Sequence, residues 1–126
     1  MNSTLLVVDD STMMRKVILR LVAQAGLTFA TTLEAADGLQ AIELLRVNRP
    51  SLILCDINMP NLNGIELLRE IQQQNLAPGV PIVMVTTENG ESQVRQAIAC
   101  GARGYLKKPF TADQIRISVL PLLTTP

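Results

Sequence analysis

Four short stretches carry the side chains able to do chemistry. Asp9 and Asp10 follow the apolar run at 5–8, and Asp56 follows the run at 52–55. Thr86 and Thr87 follow the run at 82–85, and Lys107 and Lys108 follow Tyr105 and Leu106. Three carboxylates brought together would carry a charge of about −3, and without compensation one of their pKa values would rise. One lysine returns a single positive charge and leaves room for one divalent cation. Carboxylates with a main-chain carbonyl form an all-oxygen ligand set that suits a hard ion, and Mg2+ keeps several waters in such open sites. Cation, ammonium and hydroxyl grouped around a central carboxylate can bind the oxygens of a phosphoryl group. That carboxylate, Asp56, can then act as nucleophile and become an aspartyl-phosphate.

Taken singly, each stretch has an ordinary structural reading. Adjacent acids commonly end a strand in a turn, with Asp10 or Ser11 capping the next helix. Thr86 and Thr87 could be β-branched strand residues, Lys107 and Lys108 a solvated end, and Tyr105 a half-buried packing residue. The stretch NMPNLNG at 58–64 signals a turn and a helix cap on any account. The ordinary readings together need four separate coincidences at one edge of the molecule, and the joint chemical reading needs none.

Composition removes several alternatives. The 126 residues include no histidine, which excludes Ser-His-Asp chemistry, histidine zinc sites and histidine acid–base catalysis. Cys55 and Cys100 are isolated in apolar surroundings, so a zinc or redox site is not expected, and two packed thiols suit a reducing cytoplasm. Eleven basic and eleven acidic residues cancel, which argues against a direct nucleic-acid partner. The first apolar run stops after four residues and has no basic flank, too short for a signal peptide or a membrane span. Apolar residues make up 48% of the chain but aromatic ones only 2%, so the core must be aliphatic, with the methionines as filler.

The elements that would position these groups follow from periodicity. Strand-like apolar runs alternate with helix-period segments five times: strands at 5–9, 29–35, 51–56, 81–86 and 104–107, helices at 12–25, 38–47, 65–74, 91–99 and 112–120. Met14, Val17, Ile18, Leu21 and Ala25 are expected on one face of the first helix, with Gly26 closing it. Gly101 should close the fourth helix. Thr111 and Gln114 form a T-x-x-Q capping box for the fifth, and Pro121 should end that helix near Leu120. Continuous apolar strands mean that both faces of the sheet are covered, so five βα units imply a parallel sheet between two layers of helices. In such α/β sheets ligands bind beyond the carboxyl ends of the strands, where Asp9, Asp10, Asp56, Thr86, Thr87, Lys107 and Lys108 all fall.

The set Asp9-Asp10, DINMPNLNG at 56–64, VTTE at 85–88 and YLKKPF at 105–110, in this order and at these strand ends, resembles the receiver domain of two-component response regulators over essentially the whole chain. The resemblance implies a doubly wound, flavodoxin-like (βα)5 sandwich with strand order 2-1-3-4-5. It further implies that Asp56 is the phosphoacceptor, with Mg2+ held by Asp10, Asp56 and the Asn58 carbonyl, and with Asp9 acting mainly through water. Lys108, directly before Pro109, is the implied phosphoryl-binding lysine, and the bond between them is expected to be cis. Thr86 matches the switch hydroxyl, and Tyr105 the aromatic that changes rotamer with it. Thr87 is bulkier than the residue often found there, and Asn58 and Glu88 resemble fast-hydrolysing chemotaxis members, which implies a short phosphoryl lifetime.

The expectation is a single cytoplasmic receiver over residues 1–126 with no output domain. It takes a phosphoryl group from a histidine kinase and signals by binding an output protein through its fourth helix, fifth strand and fifth helix. It is a signalling phosphoacceptor rather than an enzyme, catalysing only its own phosphotransfer and dephosphorylation, as a monomer or weak phosphorylation-dependent dimer. A phosphorelay intermediate, or a receiver from a longer transcriptional or enzymatic regulator, is the alternative setting. A haloacid dehalogenase-type phosphatase would want D-x-D where Asp56-Ile57-Asn58 stands, and a mononucleotide or flavin binder would not place DDS where a phosphate must sit.

Overall fold

The central strands of the chain are apolar on both sides, and the fold uses both. The computed structural model describes residues 3–86 and 91–124, so Thr87 and Glu88 lie outside the described residues. Strands β1 (Thr4–Val8), β2 (Thr31–Ala35), β3 (Leu52–Asp56), β4 (Ile82–Thr86) and β5 (Gly104–Lys107) alternate with helices. These are α1 (Thr12–Gln24), α2 (Gly38–Val47), α3 (Gly64–Gln73), α4 (Glu91–Ala99) and α5 (Ala112–Thr124). The sheet is parallel throughout, in the order β2-β1-β3-β4-β5. This is the doubly wound receiver topology expected from the resemblance.

Side chains alternate across a strand, so each apolar run feeds two cores. Leu6, Val8, Ile53, Cys55 and Met84 pack under α2, α3 and α4. Leu5, Val7, Leu52, Leu54, Val83, Val85 and Leu106 pack under α1 and α5. β1, β3 and β4 are almost wholly buried, while the edge strand β2 is mostly exposed. No helix among the described residues is long and apolar enough to cross a membrane.

Helix ends follow their sequence signals closely. Ser11 caps α1 by accepting from the Met14 N–H, and Asn63 and Glu66 form a reciprocal capping box on α3. Thr111 and Gln114 close the expected box before α5. Gly26 and Gly101 take positive φ at the ends of α1 and α4, where residues without a Cβ are favoured.

Four expectations are corrected. Residues 29 and 30 precede β2 rather than belonging to it, because pairing with β1 starts at Thr4↔Thr31. The buried face of α1 runs through Ile18, Val22 and Ala25, whereas Val17 is exposed, because the helix turns its stripe toward β1 and α5. Cys100 is only half-buried. The helix α5 does not stop at Leu120 but continues through Pro121 to Thr124. Proline removes one helical hydrogen bond there, but Leu122 and Leu123 beyond it pack onto the second core and favour continuation.

Gly64 shows how closely this frame grips the site. A Cβ at Gly64 would lie inside van der Waals contact of the Asp56 carbonyl oxygen, 2.8 Å from Met84 Cε and 2.9 Å from Ile57 Cα. The Gly64→Ala variant is therefore expected to lose roughly 1–3 kcal/mol, because overpacking against backbone cannot relax cheaply. Urea unfolding should show the loss as a lower midpoint at unchanged m-value.

Candidate functional site

The carboxyl ends of β1, β3, β4 and β5 meet at one edge, and the reactive side chains meet with them. Asp9 leaves β1 with its N–H still bonded to the Ala35 carbonyl at 3.0 Å, so its backbone is fixed by β2. One carboxylate oxygen, Oδ1, accepts from the Ser11 N–H at 2.9 Å, and Oδ2 accepts from Lys108 Nζ at 2.9 Å. Asp9 is 1% exposed, and its neighbour Asp10 lies open to solvent. Asp56, the last residue of β3, is buried, and its Oδ1 lies 3.7 Å from the same lysine nitrogen. Lys108 is itself nearly buried, so a single ammonium spans two buried carboxylates from β1 and β3.

The lysine arrives there through β5. Its N–H donates to the Thr86 carbonyl at 2.6 Å, one residue beyond the Thr86↔Lys107 pair. Alternation then sends Lys107 outward, where it is exposed, and Lys108 inward. The Lys108–Pro109 bond is cis, as expected. Thr86 is 1% exposed at the end of β4. Tyr105 pairs with Met84, two residues before Thr86, so it shares the sheet face of Thr86. Its ring is half exposed.

Electrostatics single out Asp56. Burial lifts its pKa from 3.8 to about 6, the Asp9 charge adds to the rise, and Lys108 with the Ile57 and Asn58 N–H groups opposes it. Burial and the neighbouring carboxylates push the Cys55 thiol well above its ordinary value, so it stays an inert packed group that donates to the Asp56 carbonyl at 3.1 Å. Asp9, Asp10 and Asp56 each offer one oxygen, and these oxygens all lie within 4.8 Å of one another. That spacing and the all-oxygen donor set fit a hard divalent cation, with the exposed Asp10 leaving a side open to water. Asn58, expected to contribute its carbonyl, is exposed two residues beyond Asp56.

Two groups escaped the sequence reading. Arg15 bonds the Asp9 carbonyl through Nη1 at 2.6 Å, Glu34 through Nε at 2.9 Å and Thr12 through Nη2 at 3.2 Å. A basic residue in the first turn of a helix opposes the helix dipole, and that local misfit was the available signal. Asp37 caps α2 by accepting from the Gln40 N–H and also takes the Asn61 side-chain amide at 2.8 Å, which tethers the loop after Asp56. The Gln40 N–H, helped by that amide, holds the Asp37 carboxyl below the usual range. Nothing in the local pattern marked Asn61, whose φ of 67° is the positive value that asparagine tolerates.

Comparison with known proteins agrees with this geometry. The response regulator receiver domain profile matches residues 5–120. The chain is 37% identical to chemotaxis protein CheY1 of Helicobacter pylori over 122 residues, 96% of this chain and 97% of that protein. It is 36% identical to chemotaxis protein CheY-3 of Vibrio cholerae over 115 residues, 91% of this chain and 87% of that protein. The solved structure of Vibrio cholerae CheY4 superposes with a TM-score of 0.84 at 30% identity, covering 98% of this chain and all of that one. The NtrX receiver domain of Brucella abortus gives 0.84 at 30% identity, covering 97% and 99%.

The raised Asp56 pKa has a definite consequence for stability without metal. Between about pH 4 and 6 the native state holds a proton on Asp56 that the unfolded state has lost, so this group's contribution to stability rises as pH falls through 6. Above pH 6 the buried charge is a penalty, and Asp56→Asn removes it. In EDTA at pH 7.5 the variant should therefore be more stable than the parent by about 1–3 kcal/mol, with the gap shrinking toward pH 4.5. Thermal melts of both proteins across that range check the sign.

Proposed function

The chain belongs to the response regulator receiver domain family, and on that premise we propose that it is a chemotaxis-type phosphorylation switch with Asp56 as phosphoacceptor. The observation that carries the assignment is the Lys108 ammonium shared between Asp9 at 2.9 Å and Asp56 at 3.7 Å, inside a cluster of three carboxylates. Such a group presents a carboxylate nucleophile beside a fixed positive charge at the sheet edge where ligands bind.

A phosphohistidine on a partner kinase is the donor. Asp56 Oδ attacks phosphorus, the P–N bond breaks with its electron pair left on the histidine nitrogen, and an aspartyl phosphate forms. Lys108 holds phosphoryl oxygens, and Thr86, buried at the end of β4, supplies a hydroxyl donor to another. Asp10, Asp56 and the Asn58 carbonyl would hold Mg2+, which would supply positive charge to offset that of the phosphoryl oxygens. Asp9 has both carboxylate oxygens engaged, by Ser11 and Lys108, which supports a role through water rather than direct ligation. Hydrolysis of the mixed anhydride by water returns the carboxylate.

The output follows from the face that holds Thr86 and Tyr105. Inward movement of the Thr86 hydroxyl toward a phosphoryl oxygen would open space for the Tyr105 ring, which is half exposed. Ile98 on α4, Tyr105 on β5, and Ile117 and Leu120 on α5 are exposed large apolar residues, and these three elements suit docking of an output protein. The switch thus acts by binding in the cytoplasm, with a histidine kinase upstream.

Two measurements test this reading. With a small acyl-phosphate donor and Mg2+, the protein should gain one phosphoryl mass increment that is absent in EDTA and absent in Asp56→Asn. An increment that survives the substitution would remove Asp56 from its role. Asn58 and Glu88 support a short lifetime for the phosphorylated form, so a half-life of many hours in Mg2+ contradicts that assignment.

A further inference from the structure

One polar network beside the site has no place in the phosphoryl-transfer reading above. The Arg15 side chain is only 12% exposed and makes three bonds, to the Asp9 carbonyl, to Glu34 and to Thr12. The first is the shortest, at 2.6 Å, and its acceptor is the carbonyl of the peptide joining Asp9 to Asp10. That peptide's orientation sets where the Asp10 carboxylate points. On its other side Arg15 meets Glu34, a residue of the edge strand β2 whose side chain is 40% exposed.

The arrangement presents an electrostatic choice. Bonded to the Asp9–Asp10 peptide, the guanidinium has in the next residue, the solvent-open Asp10, a second carboxylate with which it could pair. Here Glu34 takes the Nε donor, the Asp9 carbonyl takes Nη1 and Thr12 takes Nη2, so each guanidinium nitrogen already has an acceptor. Resting on the assignment of the carboxylate cluster as a cation site, we propose that Arg15 and Glu34 are a positioning pair for that site. Arg15 fixes the Asp9–Asp10 peptide, and Glu34 keeps the guanidinium from competing with the cation for Asp10. Neither residue touches the cation or the phosphoryl group.

Groups that orient metal ligands in this indirect way typically change metal affinity by 10- to 100-fold when removed. The two residues should do so with a distinctive signature. Arg15→Met releases the peptide and should weaken Mg2+ binding roughly tenfold. Glu34→Ala frees the guanidinium to pair with Asp10 and should weaken binding further than Arg15→Met does. The double variant, having lost the competitor, should bind Mg2+ more tightly than Glu34→Ala alone and about as well as Arg15→Met. Arg15→Lys, with one donor group for the carbonyl, should recover part of the loss.

Calorimetric Mg2+ titration of the parent and the four variants reads this directly, with thermal melts in EDTA confirming that each is folded. Glu34 lies at the surface, so its variant remains informative if Arg15→Met fails to fold. Losses in the double variant that equal the sum of the single losses, or Mg2+ affinities unchanged in both single variants of a parent that binds Mg2+, would overturn the positioning role. A parent that binds no Mg2+ would overturn the cation site itself, and this inference with it.

Discussion

One ammonium between two buried carboxylates is the contact on which the site depends. Lys108 and Asp9 are 99 residues apart in sequence, and the bond closes only if β5, β4, β3 and β1 lie in the order observed. Buried ion pairs are rarely a net gain for folding, since two desolvated charges and their mutual attraction nearly cancel. Here the balance is worse than for a simple pair, because a second carboxylate, Asp56, shares the same lysine at 3.7 Å. Burial lifts the Asp56 pKa to about 6, with the Asp9 charge adding to the rise, and Lys108 offsets only part of it. The stability that tolerates it comes from the two aliphatic cores beneath, to which each central strand contributes on both faces.

The frame holds the site by backbone more than by side chains. The Asp9 N–H is bonded to β2, the Lys108 N–H to the Thr86 carbonyl, and the Asp56 carbonyl is closed off by Gly64 at the start of α3. The capping box of Asn63 and Glu66 fixes where α3 begins, and the Asp37–Asn61 bond ties the intervening loop to α2. Each reactive group therefore sits at a strand end or within two residues of one, on rigid elements rather than long loops, the condition for a preorganised site.

Much of this was legible because the relevant signals are periodic. Unbroken apolar runs such as LILC and IVMV require two covered faces, and that requirement alone leads to a parallel sheet with its charges at one edge. The proline after Lys108, read through the family resemblance, separated it from Lys107, and strand alternation at the end of β5 gives the physical reason. What stayed hidden depends on tertiary placement. Val17 and Val22 are equivalent in hydrophobicity, and only the rotation of α1 against α5 decides which is buried. Pro121 obeys its local rule in isolation, but two leucines beyond it have a core to reach. Arg15 carried only a weak local signal, a basic charge early in a helix, and its role shows once β2 brings Glu34 beside it.

The places where local rules fail have a common cause. Adjacent acids, a carboxylate closing a fully buried strand and a basic residue in a helix's first turn are each unfavourable on their own. All three lie at the carboxyl edge of the sheet, and each opposes or compensates another: Lys108 faces Asp9 and Asp56, and Arg15 faces the Asp9 carbonyl and Glu34. Sequences that are consistent elsewhere concentrate such conflicts where function needs them. With three carboxylates and a single lysine, this edge is one where a divalent cation would fit by charge as well as by ligand set.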